Sequence, residues 1–204
     1  MTIKESVQNY IDELKLPNDF YQLLLSEDDW SFVIKLSALL EAVCTNILTT
    51  KFNNNNIDES ISFLEYANPR CGKINFLEKL NIIEKKEANT LYKLAQLRNK
   101  IVHNVASINF TFESYINDLD KHQKKSLVEW VGFGINDELK FKNITITKYN
   151  FCIDNTKYAI WITILEIIAC IYLEKEVAEF KNTLNKNIET FLINQTLIDS
   201  TKES

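Results

Sequence analysis

Three glycines and two prolines are all that interrupt 204 residues, and this scarcity constrains the fold more than any other property of the chain. Glycine and proline break helices and build tight turns. A chain nearly without them can run in long helices but cannot supply the closely spaced turns of a β-sandwich. Hydrophobic residues at 46% and aromatic residues at 11% give such helices apolar faces to bury and argue against disorder. The length is that of one domain, and the expected class is mainly α.

Apolar periodicity divides the chain accordingly. Val7, Tyr10, Ile11 and Leu14, then Phe20 and Leu23 to Leu25 beyond Pro17, predict two short helices or one helix broken near the proline. Trp30, Val33, Leu36, Leu40, Val43 and Ile47 predict a strong helix over 29–49, within which Glu41 calls for a charged partner across the fold. The polar run 53–58 reads as a loop ending in a cap. A short helix is expected over 58–66, a turn around Pro69, another helix over 73–82, a charged approach over 84–89 and a less regular segment over 111–130. Residues 138–153 carry β-branched and aromatic residues in partial alternation. They predict a small hairpin insertion, with residues 148–150 as its turn. A long helix over 156–180, a separate amphipathic segment to about residue 198 and a frayed tail over 199–204 complete the expectation for one domain spanning 1–204.

Charge and cysteine usage remove several function classes. A net charge of −5 is not the footprint of a protein gripping duplex nucleic acid over a broad surface, although it permits a local cleft for one or two phosphates. Cys44, Cys71, Cys152 and Cys170 are far apart, no CxxC or HExxH is present, and buried free thiols are the plainer reading, so neither metal nor cofactor is expected. No Gly-rich phosphate loop or nucleophile elbow occurs. His122 lies among lysines and reads as a solvated residue, and the three tryptophans are too widely spaced for a stacking platform. The most apolar stretch, residues 158–173, contains Glu166 and runs into EKEVAEFKN, so it reads as a buried helix rather than a membrane span. The N-terminus lacks a signal-peptide pattern, and a cytoplasmic location is the default expectation.

Residues 91–105, LYKLAQLRNKIVHNV, hold the best functional lead. At about 100° per residue with Arg98 at zero, Leu91 falls at about +20°, Leu94 at about −40° and Ile101 at about −60°. Arg98 therefore sits in the middle of an apolar stripe. Asn99 and His103 follow at about +100° and +140°. A guanidinium so placed must be answered, either by an internal acid such as Glu41 or by the phosphate of a ligand. His103 is open to the same two readings, a satisfied histidine beside a helix face or a general acid–base. Asn99, one turn earlier, could orient His103 or donate to a phosphate oxygen. Such a set contains no metal-ligand cluster, so hydrolytic use would be metal-independent, and RNA supplies the nucleophile in its own 2′-hydroxyl.

Leu97-Arg98-Asn99-Lys100-Ile101-Val102-His103 resembles the RNxxxH signature of the HEPN superfamily. SFVIKLSALLEAVCTNIL at 31–48 and KINFLEKLNIIEKKEANTLYKLAQLRNKIVHN at 73–104 resemble the helices leading to that signature in mannitol-repressor-like and related HEPN proteins. The resemblance covers roughly residues 28–110. It implies an up-and-down helical bundle, paired as a homodimer whose two subunits share one cleft. It further implies a metal-independent endoribonuclease acting on RNA as a toxin or phage-defence effector, with an antitoxin or regulatory protein as partner and no membrane involvement. By carry-over, Arg98 binds phosphate, Asn99 orients the site, His103 performs acid–base work, and Glu41, on the preceding helix, supports Arg98. The alternative within the same family is a non-catalytic helical dimer that binds a protein or regulates transcription.

Overall fold

The computed structural model describes residues 3–17, 19–141 and 144–202. They form a helical bundle with one small β-hairpin insertion, as the composition requires. Ten α-helices are present among the described residues: α1 (Ile3–Glu13), α2 (Phe20–Ser26), α3 (Asp29–Phe52), α4 (Asp58–Ser62), α5 (Lys73–Lys79), α6 (Lys85–Val102), α7 (Phe112–Asn117), α8 (Lys121–Val131), α9 (Lys148–Asp154) and α10 (Thr156–Lys202). The hairpin pairs β1 (Glu138–Phe141) with β2 (Ile144–Thr147), Leu139 opposite Ile146.

α3 is the central element. It starts where the Asp28 carboxylate accepts from the Ser31 backbone N–H at 2.9 Å, and it ends at Asn53 in the left-handed conformation at φ 47°. Its buried residues, among them Phe32, Leu36, Leu40, Val43 and Ile47, wrap half of its circumference, because α10, α6 and α5 all pack on it. Ile160, Ile164, Ile167, Ile168 and Ile171 of α10 and Leu91 and Leu94 of α6 complete the same core. Each such side chain contributes about 1.5–3 kcal/mol by leaving water. Apart from Phe52 at its C-terminal end, what remains exposed on α3 is a strip of small and charged residues, Lys35, Ala38, Glu41 and Ala42.

Three boundaries differ from the sequence expectation. The charged approach at 84–89 is the start of α6 itself: Glu84 and Glu87 form a capping box in which the Glu84 N–H donates to the Glu87 carboxylate at 2.6 Å. The hairpin closes earlier than expected. Residues 148–150 do not make its turn but open α9, because Thr147 Oγ1 accepts from the Asn150 N–H at 3.3 Å and caps a new helix. The connection at 142–143 lies outside the described residues. Finally, no break separates residues 156–180 from the next segment. α10 is one helix of 47 residues, since nothing in EKEVAEFKN interrupts a helix once Lys175 is clamped by Glu13 and Glu179. Residues 199–202 continue it, and 203–204 lie outside the described residues. By length and composition alone, α3 and residues Thr156–Ile193 could each cross a membrane, yet more than half of each apolar window is buried inside the bundle.

Candidate functional site: a cleft between α3, α6 and the 65–69 turn

Arg98, Asn99 and His103 line one cleft of about 700 Å³. Three pieces of the fold build it. α6 contributes Ala95, Arg98 and Asn99 and ends one residue before His103, which occupies its C-cap and donates its backbone N–H to the Asn99 carbonyl at 3.2 Å. α3 contributes Ile34, Ser37, Ala38 and Glu41 from the edge of its exposed strip. The third wall is the turn of Glu65 to Pro69. Asn68 holds that turn by accepting from the backbone N–H groups of Arg70 at 2.9 Å and Cys71 at 3.2 Å, while its amide donates to Glu65 at 3.0 Å.

Local packing explains how a guanidinium can stand in an apolar stripe. Leu91, Leu94, Leu97 and Ile101 around Arg98 are buried, as the periodicity requires, whereas Arg98 itself is half-buried. Ala38 and Ala95 are small, so the two helices leave room for its head between them. Nη1 of Arg98 donates to Asn99 Oδ1 at 3.0 Å, so Asn99 orients the arginine, its immediate neighbour. Among the described residues no carboxylate forms an ion pair with Arg98.

Glu41 does not hold Arg98 in place. Its carboxylate accepts from Nζ of Lys73 at 3.1 Å, and the same ammonium donates to the Ser62 carbonyl at 3.1 Å. Lys73 is 1% exposed. A buried ammonium has the stronger claim on a nearby carboxylate, because its desolvation must be offset, whereas Arg98 still reaches water through the cleft. Glu41 nonetheless lines the cleft, so the expected acid is at the site with a different partner.

Sequence reasoning did not anticipate Lys73, Ser37 or Tyr66. Lysine at the first position of a helix ordinarily reads as solvated, and only the fold turns it inward. Tyr66 lines the cleft, and its buried hydroxyl has no hydrogen-bond partner among the described residues. Burial drives its pKa well above the ordinary tyrosine value. Its single hint in sequence is its place before the turn-forming Ala67-Asn68-Pro69.

Electrostatics distinguishes this cleft from its larger neighbour. A cavity of about 980 Å³ is bordered by five carboxylates, Glu78, Glu84, Glu87, Glu166 and Glu174, and by two lysines, Lys79 and Lys85. Burial raises the pKa of Glu87 there, with the charges of Glu84 and Glu166 adding to the shift. Its lining is net negative and disfavours a phosphate. In the smaller cleft Lys73 answers Glu41, and the remaining charged lining is Arg98 together with Glu65, whose carboxylate accepts from the Asn68 amide.

Comparisons with protein-family models, with curated proteins and with solved structures return no match for this chain.

Proposed function

We propose that this chain is a metal-independent endoribonuclease of the HEPN kind, working as a homodimer in which two copies bring their clefts together. The observation that carries this reading is the convergence of Arg98, Asn99 and His103 on one cleft, with Arg98 free of an internal ion pair among the described residues. In this reading His103 takes the proton of the RNA 2′-hydroxyl. The 2′-oxygen attacks the adjacent phosphorus, and the bond to the 5′-oxygen breaks as that oxygen receives a proton from the imidazolium of His103, leaving a 2′,3′-cyclic phosphate and a 5′-hydroxyl. Arg98 donates to the phosphate oxygens as charge builds on the five-coordinate phosphorus. Asn99 holds the guanidinium at its angle. Glu41, fixed by Lys73, bounds the cleft and acts on shape rather than chemistry. A toxin or defence effector with a dedicated antitoxin fits this activity.

A second reading is a catalytically silent helical dimer that binds a protein or regulates transcription. The carboxylates of Glu41 and Glu65 in the cleft and the net charge of −5 favour it.

Incubation of pure protein with RNA in EDTA separates the two. The first reading expects cleavage with a cyclic-phosphate end, no action on DNA, and a loss of about 100-fold or more in Arg98→Ala and in His103→Ala while both remain folded. Cleavage unchanged in either variant sinks it. A wild-type protein that leaves varied RNAs intact while binding a protein through this cleft establishes the second reading instead.

A further inference from the structure

The side of α10 that faces away from the bundle carries a continuous apolar stripe. Leu173 (45% exposed), Val177 (45%), Phe180 (70%), Leu184 (47%), Ile188 (48%) and Phe191 (60%) all lie on it. At about 100° per residue these six positions fall within an arc of roughly 80°, whereas Ile164, Ile168, Ile171, Lys175 and Ala178 point to the opposite side and are buried. Asn182 donates to the Thr50 carbonyl at 2.9 Å near the end of α3, and beyond it every residue from Thr183 to Ile193 is exposed. Residues 183–193 thus extend past the bundle by about 16 Å at the helical rise. A helical projection with one apolar face is marginal on its own in water and is stabilised by a partner that covers that face.

The spacing and the flanking charges specify the partner. Val177, Phe180, Leu184 and Phe191 fall on the a and d positions of a heptad, with Asn187 at the intervening d. The residue before Val177 is Glu176, in position g, and the residue after Phe180 is Lys181, in position e. In a parallel, in-register pair of identical helices, g of one strand faces e of the other five residues on, so Glu176 of each copy meets Lys181 of its mate, twice by symmetry. Among the described residues Lys181 forms no ion pair. An antiparallel pair with the same overlap, Val177 against Asn187 and Phe180 against Leu184, would instead bring Lys181 of each copy together, like charge against like. Anionic membrane is a poor occupant: residues 183–202 hold two lysines, Lys186 and Lys202, against two acids, Glu189 and Asp199, with no cationic surplus.

We infer that the exposed stripe of α10 is an interaction surface for a second copy of this chain, paired in parallel and in register through residues 173–191. This inference is independent of the phosphate reading of the cleft.

Site-directed crosslinking of the full chain tests it. With the exposed Cys71 and Cys170 changed to serine, Leu184→Cys is oxidised and its yield of species at twice 23.8 kDa is compared with that of Ile144→Cys, an exposed position on the hairpin. Most of the Leu184→Cys chains are expected to crosslink, against few of the Ile144→Cys chains. Adding Lys181→Glu should lower the crosslinking rate several-fold by placing it against Glu176, and adding Glu176→Lys to that variant should restore it. Arg98→Ala should leave crosslinking unchanged, so failure of the nuclease reading and failure of this one are separate results. A Leu184→Cys yield no higher than that of the hairpin control overturns the inference. So does a charge swap that gives no rescue, or a monomeric chain that sediments with anionic phospholipid vesicles.

Discussion

The Lys73–Glu41 pair makes a quantitative and asymmetric prediction. The Lys73 side chain is 2% exposed and that of Glu41 is 49% exposed, so the two partners lose very different amounts of hydration on folding. Glu41→Ala strands an ammonium whose only remaining partner is the Ser62 carbonyl. Breaking a fully buried pair costs about 3–5 kcal/mol. Water entering through the cleft on the Glu41 side screens part of this, leaving about 2 kcal/mol. Lys73→Met removes the charge and keeps most of the volume. Glu41 then returns to solvent, and the cost is an unpaired carbonyl worth about 1 kcal/mol, partly offset by the added apolar packing. The double variant Glu41→Ala/Lys73→Met should accordingly be more stable than Glu41→Ala alone. Urea titrations at constant m read these differences directly, and for a chain of this size Glu41→Ala should lower Tm by about 4–8 °C. The reasoning is refuted if Lys73→Met is as damaging as Glu41→Ala, or if the double variant is the least stable of the three.

Two further expectations follow from the cap of α3 and from the cysteines. Hydrogen bonds from Ser31 hold the Asp28 carboxyl below its usual pKa, so its contribution is complete above the ordinary aspartate value and disappears as pH falls through the lowered one. Asp28→Ala should cost about 1 kcal/mol near pH 6, and its gap from wild type in urea midpoint should close as pH falls below the ordinary aspartate range. Burial pushes the Cys44 thiol up to about 12, while Cys71 is exposed. Brief alkylation at neutral pH followed by mass spectrometry should label Cys71 and spare Cys44 until denaturant is added; early labelling of Cys44 would show that the core opens there.

Much of the bundle is legible in the sequence because its signals are local. α3 and α6 follow from periodicity, and the stripe that places Arg98 among leucines is the one realised in the fold. What escapes is decided between segments. The partner of Glu41 could not be read from helical spacing, because Lys73 reaches it from another helix after being buried beneath Ser62. The unbroken course of α10 was hidden by the charges of EKEVAEFKN, which read as a boundary until Glu13 on α1 is seen to hold Lys175. Similarly, the hairpin's true limit depends on Thr147, a residue equally at home in a strand and at a helix cap. For the site, the three motif residues were visible, whereas the turn of Glu65 to Pro69 that walls them in lies thirty residues away and carries no motif.

The two hydroxyls at the end of α8 have a consequence for the cleft. Thr90 Oγ1 donates to the Trp130 carbonyl at 3.2 Å, and Thr163 Oγ1 donates to the Val131 carbonyl at 2.7 Å. These carbonyls fall in the last turn of α8, where a helix cannot satisfy them itself. Apolar surfaces let neighbouring helices slide by a fraction of a turn at little cost, but a carbonyl bonded to a threonine fixes their relative height. Thr90 lies on the same helix as Arg98, about 12 Å away along its axis. The end of one helix thus sets the axial position of another, and the height at which Arg98 meets the cleft is fixed by contacts two turns distant from it.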